Sequence, residues 1–155
     1  MTQQLFLDCD GVLADFDKGY EALFGKFPDR DNPISSDMWQ ALKSHKNFYG
    51  TLPLLTDAME LYQAVKHLRP IILTGMPLGN WALPQKLGWR DKWFPGVPMV
   101  TCLSKNKSLY CQPGDVLVDD WRKYQMEWTD AGGQFVYHLK TKDTLTELIA
   151  LGILQ

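Results

Sequence analysis

Short apolar runs that stop abruptly at an acid, a glycine or a turn recur along this chain, with helical spacing between them. The runs are Leu5–Leu7, Ile71–Leu73, Val97–Thr101, Val116–Val118 and Phe135–Tyr137. Segments this short, apolar throughout and bounded by Gly, Pro and Asp, predict strands buried on both faces. Between them, Ala58–Leu68, Trp81–Trp93, Trp121–Thr129 and Thr144–Leu151 predict helices, the last with Asp143 as its N-cap. Ala58–Leu68 shows the pattern well, with Met59, Tyr62, Val65 and Leu68 falling on one helical face. Alternation of strand and helix predicts an α/β fold, doubly wound around a mainly parallel sheet.

One stretch departs from this rhythm. From Phe16 to Thr56 there is no strand pattern, but several Pro and Asp residues and the aromatics Phe24, Phe27, Trp39, Phe48 and Tyr49. It predicts a small, mostly helical insertion over about residues 17–56, lying across the sheet within a single domain of residues 1–155. At 155 residues the chain is long enough for one core and too short for two. A net charge of −2 with scattered Lys and Arg argues against a polymeric nucleic acid as partner. No stretch approaches the roughly 18 apolar residues of a membrane span, and no signal-peptide pattern opens the chain. Cys9, Cys102 and Cys111 are odd in number and lack CxxC spacing, so they read as buried thiols in a reducing, cytoplasmic setting. His45, His67 and His138 have no ligand-like grouping. Trp81, Trp89 and Trp93 read as packing for their helix, while Trp121 reads equally as core or as a border of the pocket.

In an open α/β sheet, ligands bind beyond the carboxyl ends of the strands. Those ends carry Asp8 and Asp10, then Thr74 and Gly75, then Asp119 and Asp120, with Lys107 just before the fourth strand. Four acids at one sheet edge repel one another unless a cation joins them, and oxygen-only ligands suit Mg2+. In extended chain, Asp8 and Asp10 point the same way and face one phosphoryl group. Asp8 would attack phosphorus, and Asp10 would protonate the leaving alkoxide and then deprotonate a water. Gly11 allows a tight exit from the strand. Lys107 and the metal would offset the charge of an anionic phosphate, and Thr74 with the adjacent loop amides would bind its remaining oxygens. Lys105 competes with Lys107 for this role.

Asp8 to Asp15, reading Asp-Cys-Asp-Gly-Val-Leu-Ala-Asp, resembles the first motif of the haloacid-dehalogenase-like superfamily, DxDGxLxD. Ile-Ile-Leu-Thr-Gly resembles its second motif, Lys107 its third and Leu-Val-Asp-Asp its fourth, in the right order. The resemblance implies a Rossmann-like sheet of order 3-2-1-4-5 with a cap inserted after the first strand. Within the superfamily the chain resembles the 5′(3′)-deoxyribonucleotidases, through Asp10-Gly-Val-Leu-Ala-Asp-Phe16, the Phe48-Tyr49 pair, Thr74-Gly-Met-Pro-Leu and Gly114-Asp-Val-Leu-Val-Asp-Asp120. That likeness implies nucleoside monophosphates as substrates and Phe16, Phe48 and Tyr49 as lining of the nucleoside pocket. Thr74, Gly75, Met76 and Lys107 would meet the phosphate. Metal contacts would come from Asp8, the Asp10 backbone carbonyl and the Asp119-Asp120 pair, with Asp120 the direct ligand and Asp119 bonded to Lys107 or a water. The second-motif loop departs from a hydroxyl-rich pattern, and the cap is short. Two alternatives remain at this point: a phosphatase of sugar phosphates or other small phosphoesters, and a non-catalytic phosphate-binding module. The base, the choice between 5′ and 3′ phosphate and the oligomeric state are left open.

Overall fold

The computed structural model describes residues 3–155. A five-stranded parallel sheet runs through the molecule in the order β3-β2-β1-β4-β5, where β1 is Leu5–Leu7, β2 Ile71–Gly75, β3 Met99–Cys102, β4 Val116–Asp119 and β5 Gln134–Tyr137. The predicted doubly wound α/β fold is present. Side chains alternate across the central strands, so each face of the sheet has its own core. Leu5, Leu7, Ile72, Val116, Val118 and Val136 join one cluster; Phe6, Leu73, Leu117 and Trp128 form the other.

The first face is covered by α3 (Ala58–Val65), α4 (Ala82–Trp93) and α6 (Thr141–Ala150), which contribute Leu61, Val65, Trp89 and Leu148. The second is closed by α5 (Gln125–Asp130). No helix among the described residues is long and apolar enough to cross a membrane.

Several boundaries differ from the sequence expectation, each for a local reason. The third strand begins at Met99 rather than Val97, because Pro98 cannot donate to a ladder and contributes only its carbonyl, to the Ile72 N–H at 2.9 Å. The helix expected over Ala58–Leu68 tightens to a 3-10 turn at Lys66–Leu68, since Pro70 bars a helical residue before it. The helix expected from Trp121 starts only at Gln125, because Asp119 Oδ1 captures the Trp121 N–H at 3.0 Å and the chain turns first. Asp143 is not the cap of α6. That helix starts at Thr141, and Asp57, just before α3, accepts the Thr141 N–H at 2.8 Å, so the orphan amide is satisfied from another element.

Between β1 and α3 lie α1 (Phe16–Phe24), α2 (Ser36–Ser44) and a 3-10 turn at Tyr49–Thr51. Asp15 caps α1 through the Lys18 N–H, and Ser35 caps α2 through the Met38 N–H. The return leg of this insertion is tied to the body of the fold. Trp89 Nε1 donates to the Leu52 carbonyl at 2.8 Å, and the Tyr49 N–H donates to Gln85 Oε1 at 2.9 Å. With its ring 2% exposed, Trp89 both fills the core and anchors the insertion. Trp89→Ala is expected to cost about 3–5 kcal/mol in denaturant unfolding, and Trp89→Phe, which loses the bond but keeps a ring, distinctly less.

Candidate active site

Because β1 lies between β2 and β4, the carboxyl ends of these three strands meet at the centre of one sheet edge. The Asp8 N–H donates to the Val118 carbonyl at 2.9 Å, which seats Asp8 beside the end of β4. Asp8, Asp119 and Asp120 there bring one carboxylate oxygen each to within 4.8 Å of the others. Lys107, from the 3-10 segment Ser104–Tyr110, reaches between them. Its Nζ donates to Asp8 Oδ1 at 3.0 Å and to Asp119 Oδ2 at 2.9 Å. Of the two candidate lysines, Lys107 is buried in the acidic cluster and Lys105 is exposed.

Asp119 is engaged at both oxygens, by Lys107 and by the Trp121 N–H. Among the described residues Asp120 takes no such bond; Arg30 approaches it at 3.6 Å from the loop between α1 and α2, while also pairing with Asp17. Burial and the neighbouring Asp119 push Asp8 up to about 7, against the pull of Lys107. Burial, then Asp8 and Asp119, push Asp120 up to about 9, against Arg30. Lys107 is raised although burial opposes its charge, because two acids hold it. Three crowded carboxylates, of which Asp8 and Asp120 resist ionisation, offer only oxygen donors, and this is the chemistry that a hard divalent cation relieves.

Gly11 is required by this crowding. Its φ is +88°, and a Cβ there would sit 1.9 Å from Asp120 Oδ2. The turn it makes is closed by the Leu13 and Ala14 N–H groups on the Cys9 carbonyl.

A second cation lies beside the first, and sequence reading missed it. Lys86 on α4 is 2% exposed, donating to Asp10 Oδ2 at 2.8 Å and to Thr74 Oγ1 at 2.9 Å. Its Nζ also sits 4.4 Å from the centre of the Tyr49 ring. The signal was present, since Lys86 shares a helical face with Ala82, Trp89 and Trp93 and so falls on the buried stripe. Burial raises the Asp10 carboxyl above its ordinary value, although Lys86 pulls it down. The other Asp10 oxygen, Oδ1, is buried without a hydrogen-bond partner among the described residues.

The remaining expected residues are distributed unevenly. Thr74 is fully buried, and its hydroxyl is occupied by Lys86 rather than open to a ligand. The Met76 N–H donates to the Cys102 carbonyl at 2.8 Å, so this amide is not free for a phosphate oxygen as expected. Gly75 ends β2, and its missing side chain admits Ser104, whose Oγ would lie 2.0 Å from a Cβ there. Ser104 thus adds a hydroxyl that the loop sequence lacks. Phe48 and Tyr49 are each 3% exposed and belong to the core. Phe16 is half-buried and packs edge-on against Phe48 at 5.5 Å. His138 is buried against Thr144 at 2.7 Å.

The architecture as a whole has counterparts among solved structures. A HAD family hydrolase from Deinococcus radiodurans, with bound phosphate and sodium, superposes with a TM-score of 0.57 at 12% identity, covering 99% of this chain and 97% of that one. A HAD-superfamily hydrolase from Ehrlichia chaffeensis gives 0.58 at 13% identity, covering 97% and 98%. A haloacid dehalogenase-like family hydrolase from Streptococcus pneumoniae gives 0.57 at 11% identity, covering 94% and 98%. This chain shares the haloacid-dehalogenase-like fold. No protein-family profile matches the sequence, and no curated protein matches it. At these identities the likeness carries the fold alone and leaves the chemistry to the residues.

Acids held at about 7 and about 9 instead of 3.8 make cation binding a proton-releasing event. The unfolded chain gives up these protons near pH 4 and the folded one does not, so the metal-free fold loses stability as pH rises through 4–9. Thermal unfolding is expected to show a falling midpoint over that range without Mg2+, and a Mg2+-induced rise in midpoint that grows from pH 6 to pH 9.

Proposed function

We propose that the chain is a Mg2+-dependent phosphomonoester hydrolase that works through an aspartyl-phosphate, with nucleoside monophosphates as its favoured substrates. The observation that carries this reading is the Lys107 ammonium shared by Asp8 and Asp119 inside a buried three-acid cluster. A structural salt bridge has no need of a third acid beside it, whereas a phosphoryl-transfer site needs a nucleophile, a cation site and fixed positive charge together. The Deinococcus hydrolase of the same fold holds phosphate and sodium, which is consistent with an anion and a cation meeting on this scaffold.

In this reading Asp8 is the nucleophile. Lys107 holds its Oδ1, which leaves Oδ2 to attack phosphorus as the bond to the leaving alkoxide breaks. Asp10 donates the proton that the alkoxide needs. Lys86 fixes its Oδ2, which leaves the buried Oδ1 as the atom to carry the proton, and burial favours the protonated form against the pull of Lys86. Asp10 then takes a proton from water, the water oxygen attacks phosphorus, and the bond to Asp8 breaks to release inorganic phosphate. Bound Mg2+, held by Asp8 and Asp120 with Asp119 and the Asp10 carbonyl in support, would neutralise charge on the phosphoryl oxygens. Lys107 does the same from the protein side, and Thr74 positions Lys86. The insertion over about residues 17–56 acts as the cap, bringing Arg30 to Asp120. Three free cysteines fit a cytoplasmic setting.

The test is phosphate release from ribo- and deoxyribonucleoside monophosphates and sugar phosphates, with Mg2+ or with chelator. Asp8→Asn is expected to lower turnover by about a thousandfold or more, and chelator to abolish it. Lys107→Ala is expected to lose about a hundredfold or more, while exposed Lys105→Ala stays near wild type. Activity that survives both Asp8→Asn and chelator would sink the mechanism. A preference for sugar phosphates would remove only the nucleotide assignment. Lys86→Met should reduce kcat and move the alkaline limb of the kcat/KM profile to higher pH, because Lys86 is what lowers the Asp10 carboxyl.

A further inference from the structure

Trp121 follows the acidic pair directly, at the carboxyl end of β4, and is 51% exposed. By contrast Trp89 and Trp128 are buried at 2% and 1%. A large ring left open gives up the burial that normally stabilises tryptophan. Its position is nonetheless fixed. The backbone N–H is bonded to Asp119 Oδ1 at 3.0 Å, the Tyr124 ring stands edge-on at 5.6 Å, and Lys123 Nζ lies 5.2 Å from the Trp121 ring centre. Alongside, the Arg122 guanidinium covers Tyr137 of β5 at 4.0 Å. An aromatic and cationic strip therefore follows the acidic pair directly, where β4 and β5 end. Meanwhile the three aromatics expected at a nucleoside pocket have other partners: Phe48 and Tyr49 are core, and Phe16 packs against both.

We infer that Trp121 is the platform on which the leaving group stacks, and that the ligand class it selects is the purine or pyrimidine ring of a nucleoside monophosphate. This rests on the phosphohydrolase reading above and adds the residue that recognises the substrate. Every base offers a π face to an exposed indole, and neighbouring ammonium and guanidinium groups favour an electron-rich ring and an anionic ligand. A sugar phosphate has no such face. The rival location for a base is the cavity of about 300 Å³ between α1, α2 and their connecting loop, walled by Tyr20, Phe27 and Met38.

Binding separates the two. Asp8→Asn protein in Mg2+ buffer would be titrated calorimetrically with adenosine 5′-monophosphate and with ribose 5-phosphate, alone and combined with Trp121→Ala, Trp121→Tyr or Phe27→Ala. The nucleotide is expected to bind about tenfold tighter than ribose 5-phosphate. That ratio should collapse toward one in Trp121→Ala, persist in Phe27→Ala and be restored in Trp121→Tyr, which keeps an aromatic face. A ratio unchanged by Trp121→Ala, a collapse on Phe27→Ala instead, or no binding of either ligand would overturn the inference. Wild-type turnover on the same two esters is the separate check on the chemistry. Absence of turnover with the Trp121-dependent ratio intact fails the phosphatase reading alone, and turnover with an insensitive ratio fails the Trp121 assignment alone.

Discussion

The shared ammonium of Lys107 is the contact on which the arrangement of this molecule turns. A parallel sheet delivers its loops to one edge, and here those loops deliver three acids. Carboxylates this close and this buried cannot all ionise unaided. Lys107 satisfies two of them at once, at 3.0 and 2.9 Å, and the remaining imbalance appears as the raised Asp8 and Asp120. The fold thus carries an unfinished charge balance at its centre. An unfinished balance of this kind is a cost in stability that a structural ion pair would have no reason to bear, and a bound cation would relieve it.

Lys86 has the complementary role on the β2 side of the site. It ties Asp10 to Thr74, so the second acid of the DxD pair is held by β2 and α4 rather than by the β4 cluster. The two acids are near neighbours in sequence yet take their hydrogen bonds from different lysines. Asp8 answers to Lys107 and Asp119; Asp10 answers to Lys86. Separate environments for two carboxyl groups are how one site assigns a nucleophile and an acid without changing residue type.

The packing supports this division. Trp89 lies one helical turn from Lys86 on the same face of α4, and its bond to Leu52 locks the insertion to the helix that supplies the second cation. The insertion in turn brings Arg30 to Asp120. The insertion and the helix that carries Lys86 are therefore joined through one buried tryptophan.

Much of the frame was legible in the order of residues alone. The strands showed because strands buried on both faces leave short unbroken apolar runs, and the acids showed because they sit immediately after those runs. Where boundaries slipped, the cause was often a contact from elsewhere in the chain. Asp119 delayed the helix after β4, and Asp57 capped α6 in place of Asp143. Lys86 escaped because a lysine on a helix normally marks the solvated face, although its spacing from Ala82 and Trp89 places it on the buried stripe, and its bonds to Asp10 and Thr74 appear only in the tertiary structure. Phe48 and Tyr49 were expected at a ligand surface and proved to be core, whereas Trp121, undecided in sequence, lies open. Sequence by itself determined the α/β alternation and the set of acids at the strand ends, because both are written in residues close together along the chain. Which lysine meets which acid, which oxygen is left free and which aromatic faces solvent were decided only by tertiary structure. Those depend on how elements distant in sequence approach one another, and no local pattern records a distance.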